Sequence, residues 1–260
     1  MKDLAGKVAI VTGAARGTGA AIARRFAEYD THVVLGDVLH TEGAQVAKDI
    51  GSLARFVPHD VTDEGQWAGI VEAASEVTGR VDILVNNAAV LHLGNISNTS
   101  ADAMRRLFEV NTLGPFLGLR AVLDRMRAQG GGSVVNVGSV DSLIGMNGIT
   151  AYCTSKWGLR GLTKATALEL GRDGIRVNQV CPAGGNIEMY GPWMEKMMPF
   201  IDETLAYQED RGIPGSAPLD AIADAVLYLA SDASRNTTGA DLPVDGGASA
   251  GTFLPGFNTL

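Results

Sequence analysis

Short apolar runs alternate along this chain with longer segments in which apolar residues recur every three or four positions. The runs at 7–12, 32–37, 54–58, 81–85, 132–137, 175–180 and 240–244 read as strands. Runs of this kind, often bounded by glycine or polar residues, fit strands buried on both faces. Between them, 20–29 places Ile22, Ala23, Phe26 and Ala27 at helical spacing. Residues 63–78 do the same with Trp67, Ile70, Val71 and Ala74. Residues 41–50, 150–171 and 219–231 are further helices, and 101–129 is a long one disturbed at Gly114-Pro115. Unbroken alternation of strand and helix predicts an α/β fold: one doubly wound domain over residues 1–260, a seven-stranded parallel sheet with helices on both faces and right-handed crossovers. One stretch breaks the rhythm. About 184–218 is a long insert after the sixth strand, and such inserts are usually lids or binding segments.

Composition narrows the function classes. The chain has 33 glycines in 260 residues, above the common share of about 7%, which implies many tight strand-to-helix turns. A net charge of -8 repels phosphate backbones, so neither nucleic acid nor an anionic membrane is an expected partner. No apolar run reaches the ~18–20 residues of a membrane span, and 1–7 leads into the first strand without a secretory leader. With only Cys153 and Cys181 there is no disulfide framework, and a cytoplasmic location is expected. The histidines (His32, His40, His59, His92) lack ligand spacing, so no metal is expected and all four read as polar surface or loop residues.

The chemistry concentrates at 136–156. A buried strand ends near Asn136, and a helix then carries Tyr152 and Lys156, four apart and on one face. A phenol has a reference pKa of about 10, and a neighbouring ammonium favours its ionised form. Such a pair can carry a proton near neutral pH, although Tyr and Lys at this spacing also occur as an ordinary surface pair. Gly13, Gly17 and Gly19 occupy the turn between the first strand and first helix, where backbone N–H groups can approach a pyrophosphate. Arg16 and Thr18 share that turn. Asp37 ends the second strand. It either accepts hydrogen bonds from ribose hydroxyls, favouring NAD over a 2′-phosphorylated cofactor, or caps the next helix. Asp60 and Val61 either reach an adenine ring or form a plain turn.

These elements together resemble the short-chain dehydrogenase/reductase family and look closest to its bacterial hydroxysteroid dehydrogenases. The matching residues run in order from Thr12-Gly-x-x-x-Gly-x-Gly19 through Asp60, Asn86-Asn87-Ala88, Asn111, Ser139, Tyr152-x-x-x-Lys156, Asn178 and Cys181-Pro182 to Val244-Asp245-Gly246-Gly247. The resemblance implies a Rossmann domain and a catalytic set. Tyr152 would exchange a proton with the reacting oxygen, and Ser139 would hydrogen-bond that oxygen. Lys156 would lower the phenol pKa and hold the nicotinamide ribose, and Asn111 would hold a water linking Lys156 to solvent. Asn87, Ala88, Pro182, Gly184, Gly185 and Ile187 would line the path of an NAD cofactor. Two positions depart from the family pattern. Ala89 replaces a glycine, and Ile187 stands where a threonine usually bonds the carboxamide, with Asn186 beside it.

By the same resemblance the insert closes over the substrate. It offers Met189, Tyr190, Trp193, Met194 and Met197, with Met198 and Phe200, several at helical spacing. These form either a lid over a bulky uncharged alcohol or ketone, or a helix packed on the core. Lys196 is the insert's only mid-segment cation. Asp141, Leu143 and Met146 with Leu91, His92 and Leu93 would form the opposite wall. A hydroxysteroid or similar cyclic alcohol is the expected substrate. The alternatives are a family member acting on small alcohols and a non-catalytic NAD-binding sensor or scaffold. A homotetramer is expected through the helices at 101–129 and 151–171, with the apolar tail at 252–257 docking on a neighbour.

Overall fold

The computed structural model describes residues 2–184 and 186–254. Its strands are β1 (Val8–Thr12), β2 (His32–Asp37), β3 (Ala54–Pro58), β4 (Ile83–Asn86), β5 (Gly132–Val137), β6 (Ile175–Pro182) and β7 (Asp241–Val244). They form one seven-stranded sheet in the order β3-β2-β1-β4-β5-β6-β7, and every neighbouring pair is parallel. All five residues of β1 are buried, as an inner strand covered on both faces requires.

The helices are α1 (Gly17–Ala27), α2 (His40–Ile50), α3 (Glu64–Thr78), α4 (Ala101–Phe108), α5 (Gly114–Ala128), α6 (Thr150–Leu170), α7 (Met194–Met197), α8 (Ile201–Glu209) and α9 (Leu219–Ala230). Two buried clusters divide them by face. One joins α1, α2 and α9 through Ile22, Phe26, Val46, Ile222 and Val226. The other joins α3, α5 and α6 through Trp67, Ile70, Val122, Met126 and Leu170. Order reverses between β1 and β4, which opens a crevice at the carboxyl ends of the strands.

The long helix is interrupted one turn before the expected Gly114-Pro115. Residues Glu109–Leu113 form a π-helical turn, and α5 begins at Gly114 with the proline in its first turn, where a missing N–H costs nothing. The turn carries Asn111 fully buried. Proline also reshapes the insert. The helical spacing expected there is broken by Pro192 and Pro199 into 3₁₀ turns at Ile187–Trp193 and Met198–Phe200 around the single turn of α7.

His59 lies in the loop after β3, as read from the sequence, but it is not a surface group. It is buried with its ring edge-on to Trp67, 4.4 Å between centres, and burial pushes its pKa down to about 4. No described helix is long and apolar enough to cross a membrane. Of the apolar tail, Pro255, Gly256 and Phe257 lie outside the described residues.

Candidate active site

β5 delivers Ser139 to the crevice. Its hydroxyl accepts from the Asp141 N–H (3.1 Å) and donates to Asp141 Oδ2 (2.9 Å), while the Ser142 hydroxyl accepts from the Ser139 N–H (3.1 Å). This reciprocal cap starts a 3₁₀ turn at Val140–Ser142 and fixes the serine rotamer. The spacing Ser139-Val-Asp-Ser142 is the sequence signal for that turn. The third residue of α6 is Tyr152, and one turn on is Lys156; both are buried. Lys156 Nζ donates to the Val137 carbonyl (2.8 Å) and lies 5.7 Å from the Tyr152 ring centre.

The electrostatics differ from the expected phenol made acidic by lysine. Burial raises the Tyr152 pKa above its ordinary value, with Tyr190 and Asp141 adding to the rise and the Ser139 hydroxyl opposing it. Burial lowers Lys156 to about 8, opposed by Cys181 and Asp141. The charged form of either group is disfavoured by desolvation, the largest cause of both shifts.

Asn111 is held from the π turn. Its Oδ1 accepts from the Val90 N–H (2.8 Å), and its Nδ2 donates to the Val90 carbonyl (2.9 Å) and the Ser155 hydroxyl (3.0 Å). The amide thus ties the segment after β4 to α6. A supporting chain that the sequence reading did not identify runs beneath. Asn86 Nδ2 donates to Asn136 Oδ1 (2.9 Å), and Asn136 Nδ2 donates to Thr163 Oγ1 (2.8 Å). Two asparagines near the ends of otherwise apolar strands were the available signal.

The glycine-rich turn is shaped for close approach. Gly13 and Gly17 have φ of +64° and +51°, which L side chains rarely adopt. A Cβ on Gly13 would stand 2.7 Å from Ala88 Cα, and one on Gly19 would strike the Gly13 carbonyl. Thr12 Oγ1 accepts from the N–H groups of Asn87 and Ala88 (3.1 Å each), and Asn87 Nδ2 donates to the carbonyls of Thr12 and Gly13 (2.9 Å each). Thr18 is buried in the first turn of α1. Asp37 is not the cap of α2. Its oxygens accept from Ala15 N–H (2.9 Å) and Leu39 N–H (3.0 Å), bracing the same turn. Asp60 Oδ1 accepts from the Thr62 N–H (2.9 Å) and hydroxyl (2.8 Å). Val61 is buried, with its carbonyl bonded by Trp67 Nε1 (3.1 Å).

This sheet order, with a glycine turn after β1 and the Ser-Tyr-Lys group after β5 and on α6, coincides with what the comparisons find. Residues 13–249 match the protein-family model described as enoyl-(acyl carrier protein) reductase. The chain belongs to the short-chain dehydrogenase/reductase family. It is 40% identical over 248 residues to a 3-alpha-(or 20-beta)-hydroxysteroid dehydrogenase of Mycobacterium tuberculosis, covering 95% of this chain and 91% of the relative. It is 38% identical over 263 residues to a trans-4-hydroxycyclohexanecarboxylate dehydrogenase of Sinomonas cyclohexanicum, covering 96% of each. A 2,5-dichloro-2,5-cyclohexadiene-1,4-diol dehydrogenase of Sphingobium indicum is 38% identical over 251 residues, covering 95% of this chain and 98% of the relative. The chain is an oxidoreductase, and its family implies a nicotinamide cofactor. The turn suits one: its glycines at positive φ lead straight into the N-terminus of α1, where backbone N–H groups favour an anion.

The segment after β6 returns to the glycine turn and to the cluster around Tyr152. Pro182 ends β6, and Gly184 turns at φ +87°. Gly185 lies outside the described residues. Asn186 packs against Gly17, and its buried Oδ1 has no partner among the described residues. Ile187, at the usual threonine position, is 76% exposed. Arg16 pairs with Glu188 at 3.4 Å across the glycine turn.

Met189 packs on the cluster of Tyr152, Ile149 and Leu107. Trp193 donates Nε1–H to the Leu91 carbonyl (3.2 Å), stacks edge-on with His92 at 5.1 Å, and carries Lys196 Nζ 4.9 Å above its ring. Tyr190 is half-buried, its pKa raised by burial and by Asp141. Met189, Tyr190, Trp193 and Asp141 are thus brought toward Tyr152. Met197 is half-buried. Met194, Met198 and Phe200 are instead exposed, because the short turns rotate them to the outer surface.

Proposed function

We propose that this family member is an NAD(H)-dependent dehydrogenase that interconverts a secondary alcohol and a ketone on an apolar cyclic substrate, such as a hydroxysteroid or a substituted cyclohexanol. The observation that carries this reading is the gathering of the Ser139 hydroxyl, Tyr152 phenol and Lys156 ammonium beneath Met189. The relatives' cyclic substrates support the same class.

Gly13, Arg16, Gly17, Thr18 and Gly19 would hold the pyrophosphate, with Asp37 at the adenosine ribose. Asp60, Val61, Asn87 and Ala88 would line the nucleotide path. Lys156 would bind the nicotinamide ribose with donors not used by Val137, and Pro182, Gly184 and Asn186 would border the ring. A bound nicotinamide supplies the hydride acceptor or donor. The Asp37 carboxylate repels a 2′-phosphate, which favours NAD.

Ser139 would hold the reacting oxygen by turning toward it the hydroxyl proton that Asp141 Oδ2 accepts in the ligand-free site. Tyr152 gives or takes the proton on that oxygen. Burial keeps its phenol protonated in the ligand-free site, the form needed to protonate the oxygen of a ketone undergoing reduction. Lys156, at about 8, is mostly charged at neutral pH and electrostatically favours the phenolate left after proton transfer. Asn111 positions α6 against the segment after β4. Its side-chain amide is engaged by protein, so a water on the proton path would fall to its main-chain carbonyl. Met189, Tyr190 and Trp193 supply apolar contact from the insert. The exposed Phe108, Phe116, Trp157 and Leu168 on α4, α5 and α6 favour assembly as a homotetramer, and a cytoplasmic location fits the two free cysteines.

NADH fluorescence across a panel of hydroxysteroids and cyclic alcohols, with NAD and with NADP, tests the proposal. It expects turnover with kcat/KM at least about tenfold higher for NAD. Dinucleotide binding without turnover of any alcohol would instead identify a sensor or scaffold.

A further inference from the structure

Asp141 is used only in part by the chemistry above. It is 8% exposed, and its Oδ2 receives the Ser139 hydroxyl at 2.9 Å. Its other oxygen, Oδ1, is buried and has no hydrogen-bond partner among the described residues. A buried carboxylate oxygen left unpaired is costly, and such groups are normally matched by a protein donor, a water or a ligand. The ionisable groups nearest in influence are Lys156, Tyr152, Tyr190 and Cys153, all at the same crevice. None of them bonds Oδ1. Asp141 therefore keeps one buried, unmatched oxygen one hydrogen bond away from the serine proposed to hold the reacting oxygen.

We infer that Asp141 is a specificity-determining residue whose Oδ1 accepts a hydrogen bond from a second hydroxyl of the substrate, so that cyclic diols are preferred over cyclic mono-alcohols. The inference rests on the alcohol-dehydrogenase reading of the site and names its substrate class more narrowly. A mono-alcohol would leave Oδ1 unpaired inside a closed site, and sites built around a hydroxyl discriminate strongly against analogues that lack it.

The test compares kcat/KM for cyclohexanol with that for the cis and trans 1,2-, 1,3- and 1,4-cyclohexanediols, in the native enzyme and in Asp141→Ala. The expected result is a best diol favoured over cyclohexanol on the order of 30- to 100-fold, falling to within about threefold in the variant. A role for Asp141 only in orienting Ser139 would lower both substrates alike and leave the ratio unchanged. A native ratio below about tenfold, or a ratio that the variant retains, overturns the inference while the dehydrogenase reading stands. Turnover of neither class overturns the inference, and the dehydrogenase reading is then decided by the hydroxysteroid panel.

Discussion

The floor of the crevice and the segment that covers it are held in different ways. Beneath the site, Asn86, Asn136 and Thr163 form a buried chain of side-chain hydrogen bonds, and Asn111 and Lys156 are tied to main-chain carbonyls. Above it, none of the helical turns between Ile187 and Glu209 contains a buried residue. That segment rests on apolar contact from Met189, one indole hydrogen bond and the half-exposed Arg16–Glu188 pair. The region of Ser139, Tyr152 and Lys156 thus rests on buried polar bonds, where geometry is stiff. The residues proposed to meet the substrate sit on adaptable contacts.

The comparison breaks first at the floor. Asn86→Ala leaves Asn136 Oδ1 without its donor. The expected cost is about 2–3 kcal/mol, a fall in Tm of about 4–12 °C by thermal denaturation. His59, also on the floor's side of the sheet, gives a pH signature. With a folded pKa near 4, below that of the unfolded chain, its contribution is present above about pH 6.5 and lost as pH falls toward 4. Urea melts should show about 2 kcal/mol lost from this group between pH 7 and pH 5, and His59→Phe should flatten that limb.

In the cover the order reverses, with function affected more than stability. Trp193→Ala removes the bond to Leu91 and the stack on His92. KM for a cyclic substrate should rise about tenfold while Tm moves by less than about 2 °C. Smallest is Glu188→Gln, which breaks a half-exposed pair and should change unfolding free energy by less than about 0.5 kcal/mol.

Much of the floor was legible in the sequence because it follows local rules. Continuously apolar runs marked the strands of the sheet, and the glycines at 13 and 17 marked a turn with positive φ. Tyr152 and Lys156 fell on one face of α6, as their spacing requires. What the sequence did not reveal depended on contacts distant along the chain. The interruption of the long helix belongs to Asn111, whose partners Val90 and Ser155 lie on separate elements. The burial of His59 in its loop was not legible because only the fold brings Trp67 against it. The phenol's raised pKa reflects closure of the site, which no i,i+4 spacing encodes. The insert's apolar residues suggested one helix face, but two prolines divide it and turn Met194 outward.

The central claim is that the Tyr152 hydroxyl is the group that exchanges the proton with the reacting oxygen. Tyr152→Phe removes one oxygen and keeps the ring in its cluster. Measured with NADH and a cyclic ketone that the native enzyme reduces, the variant should bind NADH as the native enzyme does and lose turnover by on the order of 10³-fold or more. Turnover within tenfold of native would contradict the account.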